Sequence, residues 1–175
     1  AQINTYAASK KDFLKSLTSV NIPLRINLQF EQFFGPGDHD SKFPISLIRQ
    51  LIANVISIKM TLGEQKRHFL FIDDAVDAYL HIIHKRHQLE AGFHHFQVST
   101  ENSISLKQFA LLAKRLVGNT TTKLDFGAIA YRENELMDSI TNITAMQQLG
   151  WTPKTSLTEA IMKTISEERD HEISH

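Results

Sequence analysis

Cysteine is absent from the 175 residues, and its absence excludes several classes of site. Without a thiol the chain forms no disulfide, holds no metal on thiolates and has no cysteine nucleophile. Neither sign of charge is in excess, since Lys+Arg and Asp+Glu number 19 each. The sequence therefore predicts no general attraction to nucleic acid or to an anionic membrane. It also predicts no membrane-spanning helix and no signal peptide, so we expect a cytoplasmic protein.

The composition that remains is that of a globular protein, with 42% hydrophobic and 22% charged residues. The length suits one domain or a large piece of a longer chain. The sequence begins Ala1-Gln2-Ile3-Asn4, without an initiator methionine and next to a predicted helix, and we expect that it was cut from a longer protein. We further expect residues 1–168 to form a single α/β unit and residues 169–175 a polar tail.

The spacing of apolar residues predicts helices and strands in alternation. The first helix should begin between residues 4 and 7 and end near Thr18, with Leu14, Leu17 and Val20 on its buried side. Further helices are predicted from residue 44, at 75–84 behind a cap at Asp73 or Asp74, at 106–117, up to 149, and from about 157 to 166. Strands are predicted at 24–30, 55–62, 93–99 and 121–126. The predicted fold class is α/β.

Tyr6 and Lys10 lie four residues apart in the first predicted helix, so their side chains project from one face. An ammonium beside a phenol favours the phenolate. A tyrosine in that setting can exchange a proton with a carbinol or carbonyl oxygen. Such a pair also arises by chance on exposed helix faces, so the motif predicts acid–base chemistry only in combination with others.

Five motifs occur in one order along the chain: Tyr6-Ala7-Ala8-Ser9-Lys10, Phe34-Gly35-Pro36-Gly37, Gly63-Glu64-Gln65-Lys66-Arg67, Phe71-Ile72-Asp73-Asp74-Ala75 and Leu149-Gly150-Trp151-Thr152-Pro153. This series resembles the C-terminal half of the extended short-chain dehydrogenase/reductases, which are the NAD-dependent epimerase/dehydratase family. Residues 26–38 are similar to the CDP-abequose and CDP-paratose synthase branch of that family. The resemblance implies a Rossmann-type fold and an NAD- or NADP-dependent enzyme acting on a nucleotide-diphosphate sugar.

The resemblance also implies roles for individual residues. Tyr6 would be the catalytic acid/base, and Lys10 would hold the nicotinamide ribose while favouring the phenolate of Tyr6. Arg67 would bind the diphosphate, because a guanidinium fork matches phosphate oxygens. The remaining residues expected at the substrate are Gln32, Ile58 and Met60, of which the last two would flank the base, and Arg132 as a second phosphate ligand.

The sequence departs from the family pattern at several positions. Gln29, Gln32 and His68 stand where many relatives have arginine, asparagine and aspartate. The largest departure is that these 175 residues contain neither Gly-x-x-Gly-x-x-Gly nor Gly-x-Gly-x-x-Gly, the turn that binds the dinucleotide pyrophosphate. The assisting serine or threonine of the family also lies upstream of the matched region. We therefore expect these residues to be nearly inactive on their own.

Our first prediction is a fragment of a 4-keto-reductase acting on a CDP-linked deoxyhexose for surface polysaccharide synthesis. An epimerase or a 4,6-dehydratase of the same family remains open, as does a non-catalytic module that binds a nucleotide or a partner. A homodimer or another oligomer is expected, because half of a sheet exposes edges and apolar surface. Metal binding by His81, His84 and His87 is disfavoured, since helical positions three apart fan out around the axis.

Overall fold

The computed structural model describes residues 5–173, with side chains described as far as residue 170. The elements are α1 (Thr5–Ser19), β1 (Leu24–Phe30), β2 (Phe33–Phe34), α2 (Phe43–Ile52), β3 (Ser57–Met60), β4 (Lys66–Arg67), β5 (Leu70–Phe71), α3 (Ile72–Lys85), β6 (Gly92–Val98), β7 (Ile104–Ser105), α4 (Leu106–Val117), β8 (Lys123–Phe126), α5 (Thr144–Gln148) and α6 (Leu157–Ile173). The predicted α/β class is confirmed. Within residues 5–173, no helix has both the length and the apolar character required to cross a membrane.

The strands pair two by two, and three of the four pairs are parallel. β1 runs parallel to β6 over seven residues, from Leu24 opposite Gly92 to Phe30 opposite Val98. The pairs β2–β5 and β3–β8 are also parallel, whereas β4–β7 is antiparallel. Parallel neighbours require a crossover connection, and the intervening helices provide it. The carboxyl ends of β1 and β3 therefore lead directly into loops that can carry a site.

The hydrophobic residues form two clusters. The first lies between β3, α2, α4 and α6 and contains the rings of Phe34, Phe69 and Phe109. The Phe69 and Phe109 ring centroids are 4.4 Å apart, and those of Phe34 and Phe109 are 5.6 Å apart. The second cluster joins the β1–β6 pair to α3 and α5 and includes Trp151, which is 1% exposed. Trp151 is thus a packing residue of this cluster.

α1 packs less tightly than the sequence predicts. Leu14 and Leu17 are half-buried, but Val20 lies beyond the helix and is exposed, so its predicted burial is wrong. Arg25 of β1 ties the end of the helix down by donating from Nη1 to the carbonyls of Thr18 and Val20, at 2.8 and 3.1 Å. Most other side chains of α1 are exposed to solvent.

α3 begins at Ile72 rather than behind an aspartate cap, so the predicted capping role of Asp73 or Asp74 is wrong. Asp74 is 4% exposed and accepts hydrogen bonds from the backbone amides of Lys154 and Thr155, at 3.1 and 3.0 Å. This carboxylate therefore holds a loop 80 residues away, which local sequence cannot reveal. The opposite face of α3 exposes a stripe at helical spacing: Val76, Tyr79, Leu80 and Ile83.

α4 has the predicted boundaries, with a reciprocal capping box between Ser105 and Gln108 and with Gly118 in the left-handed conformation at its end. α6 extends to Ile173, beyond the residue near 166 where the sequence predicts its end. Two side chains anchor the additional turns. Glu168 is 5% exposed and binds Arg49, and Arg169 donates from Nη2 to the carbonyl of Val117 at 2.8 Å.

Candidate functional site

A cleft of about 510 Å³ opens between α2, β3, β4 and the segment that follows β8. Residues from five separate parts of the sequence line it. They include every residue that the sequence places at the substrate: Gln32, Ile58, Met60, Arg67 and Arg132. The structure thus brings all five together, although their contacts with a ligand stay predictions.

The floor of the cleft is apolar because β3 alternates. Ile58 and Met60 are each 7% exposed. Ser57, which precedes Ile58, and Lys59, which lies between the two, face solvent. Residues two apart in a strand point to the same face, so both side chains reach the cleft. Leu47 of α2 lines the same region. A flat aromatic ring with polar edges, such as a nucleobase, suits a floor of this kind.

The walls carry more positive than negative charge. Among the described residues that line the cleft, Lys59, Arg67 and Arg132 are cationic and Glu135 is the carboxylate. Arg132 is exposed at the rim, and Lys59 is exposed as well. This balance favours an anionic ligand.

Arg67 is held in a defined orientation. Its guanidinium donates from Nη2 to Glu135 Oε1 at 2.9 Å and from Nη1 to the carbonyl of Lys66 at 2.7 Å. The side chains of Arg67 and Glu135 are 17% and 19% exposed. A guanidinium has five N–H donors, so these two bonds fix the plane and leave further donors for a ligand.

His68 follows Arg67 and is 6% exposed. Its Nδ1 lies 2.8 Å from the carbonyl oxygen of Thr100, and its Nε2 lies 3.1 Å from the carbonyl oxygen of Ser139. The side chain therefore connects the loop after β6 with the segment that carries Arg132. Gln29, the other departure noted on β1, is exposed and does not line the cleft.

Tyr6 and Lys10 lie side by side on α1, as their spacing predicts. Lys10 Nζ is 5.4 Å from the centroid of the Tyr6 ring, and Tyr6 is 70% exposed. Neither residue lines the cleft. The structure therefore keeps the pair together but does not join it to the five cleft residues, and its catalytic role stays a prediction.

The sequence assigned no role to several polar residues of the cleft, among them Glu135 and Gln65. Glu135 pairs with Arg67, and Gln65 is 4% exposed with its amide 3.2 Å from Thr61 Oγ1. The available signal for Glu135 was its position three residues after Arg132 in a polar stretch. Nothing in the sequence around Gln65 indicates its burial.

The histidines near the end of α3 have separate environments. His81 Nε2 lies 2.8 Å from the carbonyl of Leu149, whereas His84 and His87 are exposed. In the part of the chain that the structure describes, no three His, Asp or Glu side chains are grouped so that they could hold a metal ion.

Comparison with known proteins places this geometry in a family. The model of the NAD dependent epimerase/dehydratase family matches residues 1–98. The CDP-abequose synthase of Salmonella typhimurium is 36% identical over 129 residues, which are 73% of this chain and 43% of that protein. The CDP-abequose synthase of Salmonella muenchen is 31% identical over 169 residues, which are 94% of this chain and 56% of that protein. The chain thus spans about half the length of these curated relatives.

Among solved structures, the UDP-glucose 4-epimerase of Thermotoga maritima, determined with UDP-glucose, superimposes with a TM-score of 0.78 at 21% identity. The superposition covers 98% of this chain and 55% of that chain. At this identity the likeness establishes the fold, which is that of the Rossmann-type epimerases and dehydratases.

Proposed function

This chain belongs to the NAD dependent epimerase/dehydratase family, and we propose that it is the substrate-binding part of a nucleotide-sugar oxidoreductase. The observation that supports the proposal is the convergence of Gln32, Ile58, Met60, Arg67 and Arg132 on one cleft with an apolar floor and cationic walls. Within the family we propose a 4-keto-reductase acting on a nucleotide-linked deoxyhexose, with CDP as the first candidate carrier. The similarity to the two CDP-abequose synthases supports that choice.

In the proposed binding mode the base lies against Ile58 and Met60 and the diphosphate lies against Arg67. The distances support this division, because Glu135 and the Lys66 carbonyl already orient the Arg67 fork. Arg132 at the rim would add charge without restricting the position of the ligand. Gln32 would contact the sugar, since its backbone carbonyl accepts from the amide of Leu70 at 3.1 Å and thereby fixes its position between β1 and β2.

We assign proton transfer to Tyr6, with Lys10 placed to hold the nicotinamide ribose. NAD(P)H, when bound, would supply the hydride for the sugar carbonyl carbon. Tyr6 Oη would donate its proton to the carbonyl oxygen, which would become a hydroxyl group. These 175 residues contain no glycine-rich turn for the dinucleotide pyrophosphate, so we expect them to be nearly inactive without further residues that supply it.

We also propose a homodimer in the cytoplasm, in which the second subunit covers α1 around Phe13 and leaves Tyr6 open to the substrate. Phe13 is 63% exposed on that helix, and an exposed side chain of this size favours a contact. Light scattering after size-exclusion chromatography tests the assembly. A monomer at tens of micromolar would contradict it.

The binding proposal is tested by calorimetric titration of the chain with CDP, UDP, GDP and dTDP. We expect one diphosphate to bind and the Arg67→Ala variant to bind it at least about tenfold more weakly, because charge-assisted hydrogen bonds are lost. Arg67→Lys keeps the charge but not the fork and should be intermediate. Arg86→Ala is the matched control, since Arg86 is exposed and donates to the carbonyl of Ile83. Equal binding by the Arg67 variants would refute the assignment.

A further inference from the structure

His68 connects two segments of the chain through both of its ring nitrogens. Nδ1 lies 2.8 Å from the carbonyl oxygen of Thr100, and Nε2 lies 3.1 Å from that of Ser139. The hydroxyl of Thr141, which can donate or accept, lies 3.5 Å from Nε2. At 6% exposure the ring has little access to water that could replace a missing partner.

The segment that contains Ser139 makes further contacts with neighbouring parts of the chain. Ser139 Oγ donates to Glu31 Oε2 at 2.9 Å. The Arg67 side chain is turned towards Glu135, which the same segment carries.

The segment that His68 holds is a wall of the cleft. Residues 131–142 carry Arg132 and Glu135, both of which line it. Two backbone amides report on the attachment of this irregular segment. The amide of Lys66 donates to the carbonyl of Met137 at 2.8 Å, and the amide of Asn142 donates to Gln97 Oε1 at 2.7 Å.

We propose that His68 is a positioning residue: through both ring nitrogens it clamps residues 131–142 against the loop after β6 and so places Glu135, and through Glu135 the Arg67 guanidinium, for ligand binding. The cleft part of this inference rests on the proposed function. The clamp itself does not, because it is a statement about the unliganded chain. Nothing in the clamp requires His68 to touch the ligand.

The clamp is tested first without ligand. Hydrogen exchange of the Lys66 and Asn142 amides should be at least about tenfold faster in His68→Gln, which retains one donor group, and faster still in His68→Phe. Amides of the β1–β6 pair should keep their protection. If His68→Phe does not fold, His68→Gln decides.

His81→Gln is the matched control, because His81 also faces a carbonyl, that of Leu149, but lies outside the cleft. It should leave the Lys66 and Asn142 amides unchanged. Unchanged exchange at both amides in His68→Gln would overturn the clamp.

Titration with the nucleoside diphosphate that the unaltered chain binds then tests the cleft. We expect His68→Gln to bind about tenfold more weakly and His81→Gln to bind normally. Equal affinity in His68→Gln, together with faster exchange, would overturn the link between the clamp and the cleft. If the unaltered chain binds no nucleoside diphosphate, the proposed function fails, and the clamp is decided by the exchange data alone.

Discussion

The ion pair between Arg49 of α2 and Glu168 of α6 predicts different losses of stability for the removal of each partner. Arg49 donates from Nε to Glu168 Oε2 at 2.6 Å and from Nη2 to Oε1 at 3.1 Å, and Oε1 also accepts from the amide of Gly37 at 2.8 Å. The side chain of Arg49 is 33% exposed, whereas that of Glu168 is 5% exposed. Removal of either partner should therefore destabilise the fold, but by different amounts.

The magnitude follows from what each substitution leaves behind. Breaking a buried pair by removing one partner costs about 3–5 kcal/mol, because the remaining charge is uncompensated. Arg49→Met strands the buried Glu168 carboxylate and should cost about that much. Glu168→Gln leaves Arg49 a third exposed and still paired with Asp40, so we expect about 2 kcal/mol. For a chain of this size, that loss corresponds to a decrease in Tm of about 4–8 °C.

The pH dependence has a definite sign. The hydrogen bond that Arg49 donates to Glu168 raises the pKa of Arg49 above its ordinary value, against the opposing effect of burial. A raised pKa contributes stability that is complete below the ordinary pKa of arginine and is lost only at higher pH. The contribution of Arg49 to the free energy of unfolding should therefore be constant throughout the neutral pH range.

Urea unfolding monitored by the fluorescence of the single tryptophan, Trp151, measures these changes, because that side chain is buried. Glu167→Gln is the matched control, since Glu167 is exposed on the same turn and should change stability by less than about 0.5 kcal/mol. The double variant Arg49→Met/Glu168→Gln should lose less than the sum of the single losses. If Glu168→Gln costs more than Arg49→Met, or no more than Glu167→Gln, the reasoning from burial is refuted.

Two further predictions concern local geometry. Gly35→Ala should destabilise the fold strongly, because the added Cβ would lie 2.3 Å from Ile72 Cγ2. The added Cβ of Gly37→Ala meets no atom within 4 Å, so this variant should cost only about 1 kcal/mol for its φ of +69°. Equal unfolding midpoints of the two variants would contradict this. The hydroxyl and then the backbone amide of Ser156 lower the pKa of Glu159, so Ser156→Ala should raise that pKa towards its ordinary value in an NMR titration. The stabilisation from the contact between Ser156 and Glu159 is present above the ordinary pKa of glutamate and is lost as the pH falls through the lowered pKa of Glu159. An unchanged pKa in Ser156→Ala would show that the hydroxyl does not cause the shift.

The sequence predicted those elements whose determinants are local. β1 has the predicted bounds of Leu24–Phe30 because apolar and polar residues alternate there without interruption. α4 has the predicted bounds because Ser105 and Gly118 supply both caps within the segment itself. The resemblance to a family pointed to the five cleft residues, which lie in short motifs.

The features that sequence could not reveal depend on partners distant in the chain. The polar residues after Ser166 predict a frayed end, yet Glu168 is buried because Arg49, 119 residues earlier, satisfies its charge. Asp74 has the position of a helix cap but binds the amides of Lys154 and Thr155 instead. A carboxylate that becomes buried needs hydrogen-bond donors, but the sequence does not show which of many donors will bind it.

The position of Glu168 near the end of the chain also affects the order in which the protein can be completed during synthesis. The Gly37 amide and the Glu168 carboxylate are 131 residues apart. At about 5–20 residues per second, the ribosome makes Glu168 roughly 7–26 seconds after Gly37. Until then α2 has no α6 to cover it, and the turn that leads into the cleft lacks its anchor. α4 also packs against α2 and is made earlier, so the side of α2 that stays exposed to chaperones during this interval is the one that faces α6.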